Sequence, residues 1–180
     1  MGDGVHKPVD QFQSVDVFKI ERYAALISPE TQRLFDWWTA SPSPVQLDRF
    51  DPAEHPQLLP HLYLVRHVGK GVWRISLQGE EIKLLIGRNN TGLILDPQSD
   101  HPRLRWLAAH YNAIASERIA RRCHGTLVYY DRDYRWIEAV DLPLADRTGA
   151  ICAILGCMAA VPKPETDPPS KSGDLGPRFD

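Results

Sequence analysis

Residues 150–161, AICAILGCMAAV, carry no charged side chain over twelve positions. The run is well short of the roughly 20 residues that a membrane helix needs. Apolar on both faces when extended, it reads as a strand in the middle of a sheet. Two further strand candidates precede it, 122–130 and 135–144, set apart by the turn-forming stretches DRD and ADRTGA. Three consecutive strands of this kind make a sheet the framework of the fold.

Ahead of them, Leu104, Leu107, Ala108, Tyr111, Ile114 and Ala115 recur at helical spacing and predict an amphipathic helix over 102–119. The segment EEIKLLIG at 80–87 predicts a shorter helix stopped by its glycine, and RNNTG continues as loop. Farther back, Leu62, Leu64 and Val68, then Trp73, Ile75 and Leu77, alternate with other residues about a Gly69-Lys70-Gly71 turn, which predicts a hairpin. Ser28-Pro29 sets an N-cap and a first-turn proline before an apolar stripe at Leu34, Phe35, Trp37 and Trp38. The SPSP stretch at 41–44 ends that helix. This order predicts an α+β fold, an antiparallel sheet covered on one side by its helices.

A chain of 180 residues with 43% hydrophobic positions can bury one substantial core. Residues 1–16 carry little apolar periodicity, and the stretch after Val161 is rich in Pro, Ser, Gly and charge. The expected division is an N-terminal extension over 1–27, one folded unit over 28–161 and a disordered tail over 162–180. A net charge of -2 favours neither nucleic acid nor an anionic membrane as a partner. Three cysteines without paired spacing and a start that lacks a secretory pattern point to the cytoplasm.

Few residues invite chemistry. Asp51, Glu54, His55 and His61 lie close together, but the two histidines are six apart across Pro56 and Pro60, which is not a metal-ligand spacing. Asp51-Pro52 reads instead as the cap of a short helix, and no metal is expected. Cys123 and His124 are neighbours on a strand and point to opposite faces, so they do not make a nucleophile and its base. No catalytic motif is present, and no enzymatic activity is expected. Glu138 shares one strand face with Trp136, Val140, Leu142 and Leu144, which places a carboxylate among apolar side chains and demands a partner for it, unless a bulge turns it outward.

The segments LLPHLYLVRHV, GRNNTG and IEAVDLPLADRTGAICAILG, in that order, resemble the PAS sensor fold, and in particular a bacterial PAS branch of unknown function. The resemblance covers roughly residues 30–160. It implies a five-stranded antiparallel sheet in the order 2-1-5-4-3, a cavity between sheet and helices, and a role in sensing or protein interaction. Two positions depart from the family pattern: Asn89 stands where an acidic residue is usual, and Asp141 stands in a segment that is usually apolar.

From the resemblance follow the site candidates. Trp73, Ile75, His110, Tyr111, Ile114, Trp136 and Glu138 are expected near the cavity, with Arg88 of the glycine-arginine motif as the structural partner of Glu138. His110 lies on the helix that supplies an axial histidine in haem-binding PAS proteins, or is a flank residue of the apolar face. A covalent flavin adduct is excluded, because Cys123, Cys152 and Cys157 all fall in the later strands, whereas noncovalent flavin stays open. No cofactor is required. Leu34, Phe35, Trp37 and Trp38 are expected at a homodimer interface. The whole reads as a stand-alone sensing or interaction module that signals through an unidentified protein partner. The alternative is a carrier of a small molecule or cofactor.

Overall fold

The computed structural model describes residues 13–19, 26–127 and 132–163, with side chains placed over 26–127 and 135–163. The elements in chain order are β1 (Gln13–Lys19), α1 (Pro29–Ala40), β2 (Leu62–Gly69), β3 (Val72–Gln78), α2 (Glu80–Ile86), β4 (Ile94–Leu95), α3 (Pro102–Glu117), β5 (Arg121–Leu127), β6 (Arg132–Ala145) and β7 (Ile151–Ala160). Three single 3-10 turns lie between α1 and β2. No helix among the described residues is long and apolar enough to cross a membrane.

Local chemistry accounts for the element ends. The Ser28 hydroxyl accepts from the backbone N–H of Glu30 at 3.1 Å and of Thr31 at 3.3 Å, which starts α1 with its proline in the first turn. Gly87 closes α2 in the left-handed region at φ 77, its N–H donating to the Lys83 carbonyl. Asp51 accepts from the Ala53 N–H at 2.9 Å and opens one of the 3-10 turns.

The strands form one sheet in the order β1-β5-β6-β7-β2-β3-β4, with every neighbouring pair antiparallel. This corrects the expected five strands in the order 2-1-5-4-3. The strands β3, β2, β7, β6 and β5 are consecutive neighbours, and β1 and β4 extend the two edges. Strand β1 falls within the expected N-terminal extension and pairs with β5. Strand β7 lies between β6 and β2, as its two-sided apolar character demands. The expected tail over 162–180 lies, from residue 164 onward, outside the described residues.

Both faces of the sheet are covered, not one. Tyr63, Val65, Trp73, Ile137, Ala139, Ile154 and Met158 pack with α2 and α3. On the other face Leu62, Val140, Leu142, Leu144, Leu155 and Cys157 pack with Leu34 and Phe35 of α1. Strands whose alternate residues are apolar in both directions cannot leave either side in water, so the N-terminal helix takes the second face.

The two cores place the cysteines differently. Cys157 is fully buried, and burial pushes its thiol far above the ordinary range. Burial also raises Cys152, which is only partly covered. Because the thiolate is the nucleophile and access limits it, a disulfide reagent on native protein at neutral pH is expected to modify Cys152 while Cys157 stays unreacted until unfolding. Labelling of Cys157 at the Cys152 rate, read by peptide mass, would contradict this packing.

Candidate functional site

Asp141 sits in the middle of β6, at a position where its neighbours are apolar, and is 2% exposed. Its parity aims it at the α2/α3 side, opposite to Glu138, Val140 and Leu142. The cross-strand register runs Asp141 to Gly156 on β7 and Gly156 to Tyr63 on β2. Gly156 has no side chain, so the Tyr63 ring lies directly across β7; a Cβ on Gly156 would overlap ring atoms Cζ and Cε2. The Tyr63 hydroxyl thereby reaches across one whole strand and donates to Asp141 Oδ1 at 2.7 Å.

The other carboxylate oxygen faces α3. His110 Nε2 lies 2.8 Å from Asp141 Oδ2, both side chains being almost wholly buried. The imidazole is clamped by Trp106, stacked at 5.2 Å with the planes 12° apart, and by the edge of Tyr111 at 5.2 Å. Cys123 of β5 joins from the side, with Sγ 3.9 Å from Asp141 Oδ2. Burial, and then the Asp141 carboxyl, push the Tyr63 phenol well above the usual tyrosine range, which keeps the hydroxyl a donor.

These polar atoms end an otherwise apolar cavity of about 60 Å³ between the sheet and α2 and α3. Its wall includes Val65, Ile75, Ile82, Leu107, Ala139 and Met158. Gln78 and Asn90 form its other polar margin, the Gln78 amide oxygen accepting from the Asn90 N–H at 2.7 Å. A larger groove of about 770 Å³ lies on the opposite face, between the 3-10 turns and the β2/β3 side of the sheet. The smaller chamber, not the groove, holds the buried polar network.

Of the residues expected near the cavity, Ile75, His110 and Tyr111 line it. Trp73 and Ile114 belong to the core on the same side, the indole N–H of Trp73 donating to Asn112 Oδ1 at 2.8 Å. Trp136 and Glu138 are corrected: they face the other side of the sheet, where Trp136 lies 5.3 Å from the His124 ring. Cys123 and His124 accordingly diverge, the thiol into the cavity and the imidazole away from it.

Glu138 is fully buried, and its partner is Arg122, not Arg88. Arg122 Nε donates to Oε1 at 2.6 Å, the N–H groups of Ile27 and Ser28 donate at 2.8–3.0 Å, and the Thr31 hydroxyl donates at 2.6 Å. Arg88 is exposed on the loop after α2, away from this cluster because β3 and the α2 loop lie on the far side of β7 from β5. The carboxylate thus sits at the positive end of α1 and fixes that helix to the sheet.

The four residues expected at a dimer interface are used within the chain. Leu34 and Phe35 are buried in the second core. Trp38 donates its indole N–H to the Pro143 carbonyl at 3.1 Å, and Trp37 packs edge-on against Phe50 at 4.9 Å. His55 stacks on Phe50 at 5.2 Å, and His61 Nδ1 lies 3.2 Å from the Met158 carbonyl oxygen, so the two histidines serve separate contacts.

Haem and flavin do not fit this site. An apolar cavity of about 150 Å³ admits benzene, and the chamber here is about 60 Å³.

Tyr63, Gln78, Cys123 and Asp141 were not expected in the site. Two signals in the sequence point to them: a glycine at 156 inside a central apolar strand, which marks a close approach, and an aspartate at 141 inside an apolar one. Neither says which side chain approaches. No protein-family model matches the chain, and no curated protein matches it. Among solved structures, that of an RNA-binding light-oxygen-voltage receptor is similar, with a TM-score of 0.45 at 10% identity over 82% of this chain. This chain spans 38% of the length of that one.

Proposed function

We infer that the chain is a PAS-like sensory module whose signal is the occupancy of the α2/α3 chamber. The observation that carries this reading is the buried Tyr63–Asp141–His110 network at one end of an apolar cavity. An isolated carboxylate in such a place is costly, and a polar network that ends a chamber gives a small ligand both an apolar bed and an orienting contact. The antiparallel sheet with α2 and α3 packed on one face supports the same reading, since it is the framework that the sequence resemblance implies.

Sensing requires a ligand that binds two states of the protein unequally. The network supplies the coupling, because it ties together β2, β6 and α3: a ligand that takes over one hydrogen bond of Asp141 alters what holds α3 against two inner strands. The loop held by Gln78 and Asn90 forms the cavity margin and is the natural place for the change to appear.

Native mass spectrometry of protein purified from its own host tests the reading. The expected result is a bound small molecule on the wild type that is lost in Ala139→Val, which adds two methyl groups to the chamber wall. An apo mass for the wild type, together with no thermal shift across a small-molecule library, would refute it.

A further inference from the structure

We propose that His110, Cys123 and Asp141 form a three-ligand site for a divalent first-row transition metal of the zinc class. The proposal builds on the reading of the chamber as a ligand site and names the chemistry of one occupant. One imidazole nitrogen, one thiol sulfur and one carboxylate oxygen, contributed by α3, β5 and β6, lie within 4.8 Å of one another, and all three residues are buried. No other such group of three occurs among the described residues.

The spacing is close to that of a metal triangle. Zinc binds sulfur at about 2.3 Å and imidazole nitrogen or carboxylate oxygen at about 2.0–2.2 Å, so two tetrahedral ligands sit about 3.3–3.6 Å apart. His110 Nε2 and Asp141 Oδ2 are 2.8 Å apart, and Cys123 Sγ and Asp141 Oδ2 are 3.9 Å apart. Opening the first by about half an ångström and drawing Cys123 Sγ toward both partners, each of which lies within 4.8 Å of it, gives the tetrahedral edge lengths, a change within the reach of side-chain rotation.

The surroundings match what a ligand set needs. Tyr63 holds Asp141 Oδ1 and so leaves Oδ2 directed at His110 and Cys123, the role that an outer hydrogen bond plays in fixing a metal-binding carboxylate. Trp106 and Tyr111 fix the plane of the His110 ring. Binding releases the Cys123 thiol proton to water. A divalent ion, one thiolate, one carboxylate and a neutral imidazole then sum to zero charge, which an apolar chamber tolerates far better than an unpaired ion. Sulfur and nitrogen donors select against magnesium and calcium, which take oxygen ligands.

Three protein ligands leave the fourth tetrahedral position for a small molecule, and that position opens on a cavity of about 60 Å³. The chamber then serves as the access space of a metal centre.

Cobalt(II) is the probe. The full chain, chelator-treated and reduced, is titrated with cobalt chloride while absorption is recorded. The expected result is one equivalent bound, with visible bands of a four-coordinate ion and a near-ultraviolet sulfur-to-cobalt band, both displaced by zinc. The sulfur band is lost in Cys123→Ser and retained in Cys152→Ser, His110→Ala weakens binding tenfold or more, and Tyr63→Phe weakens it about 10–100-fold without removing the band. Absence of the band at stoichiometric cobalt, or its survival in Cys123→Ser, overturns the site. Because a variant that fails to fold would also lose the band, the wild-type melting temperature is read with and without zinc; no rise at saturating zinc overturns the site as well. A metal-free protein that still carries an organic molecule in native mass spectrometry would defeat the metal site alone, and cobalt binding with no organic occupant would defeat only the organic-ligand reading.

Discussion

Glu138→Ala is expected to lower the stability of the fold by about 3–5 kcal/mol, the cost of removing one partner from a buried ion pair. The carboxylate is fully buried and takes hydrogen bonds from the Arg122 side chain, the backbone of Ile27 and Ser28 and the Thr31 hydroxyl. Its loss leaves the Arg122 charge in the interior and frees the start of α1 from the sheet. For a domain of this size each kcal/mol corresponds to about 2–4 °C, so the melting temperature should fall by roughly 10 °C. The paired replacement Glu138→Leu with Arg122→Met should recover part of the loss by removing both charges. Recovery stays incomplete because the Ile27 and Ser28 N–H groups then have no acceptor. Urea denaturation of the three proteins checks this; a loss below 1 kcal/mol for Glu138→Ala would show that the cluster does not hold α1.

Gly156→Ala should cost a comparable amount, about 3–5 kcal/mol, for a different reason. The added methyl group occupies the space of the Tyr63 ring, so the ring must leave its place across β7. Overpacking costs about 1–3 kcal/mol. Loss of the Tyr63 hydrogen bond to a charged acceptor adds about 1.5–3 kcal/mol. A double-mutant cycle separates the cause from a general intolerance of β7 to alanine. In a Tyr63→Leu background, where the ring is gone, Gly156→Ala should be close to neutral. Equal costs in both backgrounds would contradict the crossing of Tyr63 over Gly156.

Much of this architecture is readable residue by residue. Ser28-Pro29 and Gly87 mark helix ends through the geometry of their own backbones, and such signals need no distant partner. The spacing of Leu104, Leu107, Tyr111 and Ile114 sets α3 for the same reason, since one helix face is a property of a short segment. The edge strands were harder. Gln13–Lys19 offers only Val15 and Val17 as apolar alternation, an edge strand being held by backbone pairing to β5, and Ile94–Leu95 is only two residues long.

The site shows the boundary most clearly. The sequence by itself determined that Glu138, barring a bulge, shares a strand face with apolar side chains, that Cys123 and His124 diverge, and that residues 150–161 belong at the centre of a sheet. Each of these follows from the two-residue period of a strand. Only the tertiary structure decided that Arg122 and not Arg88 answers Glu138, that α1 and not the chamber covers that face, and that Tyr63, His110 and Cys123 converge on Asp141. These contacts span 16 to 111 positions of chain. They depend on the register between strands distant in sequence; Gly156 is visible as a glycine in an apolar strand, but which ring passes over it is set only by that register.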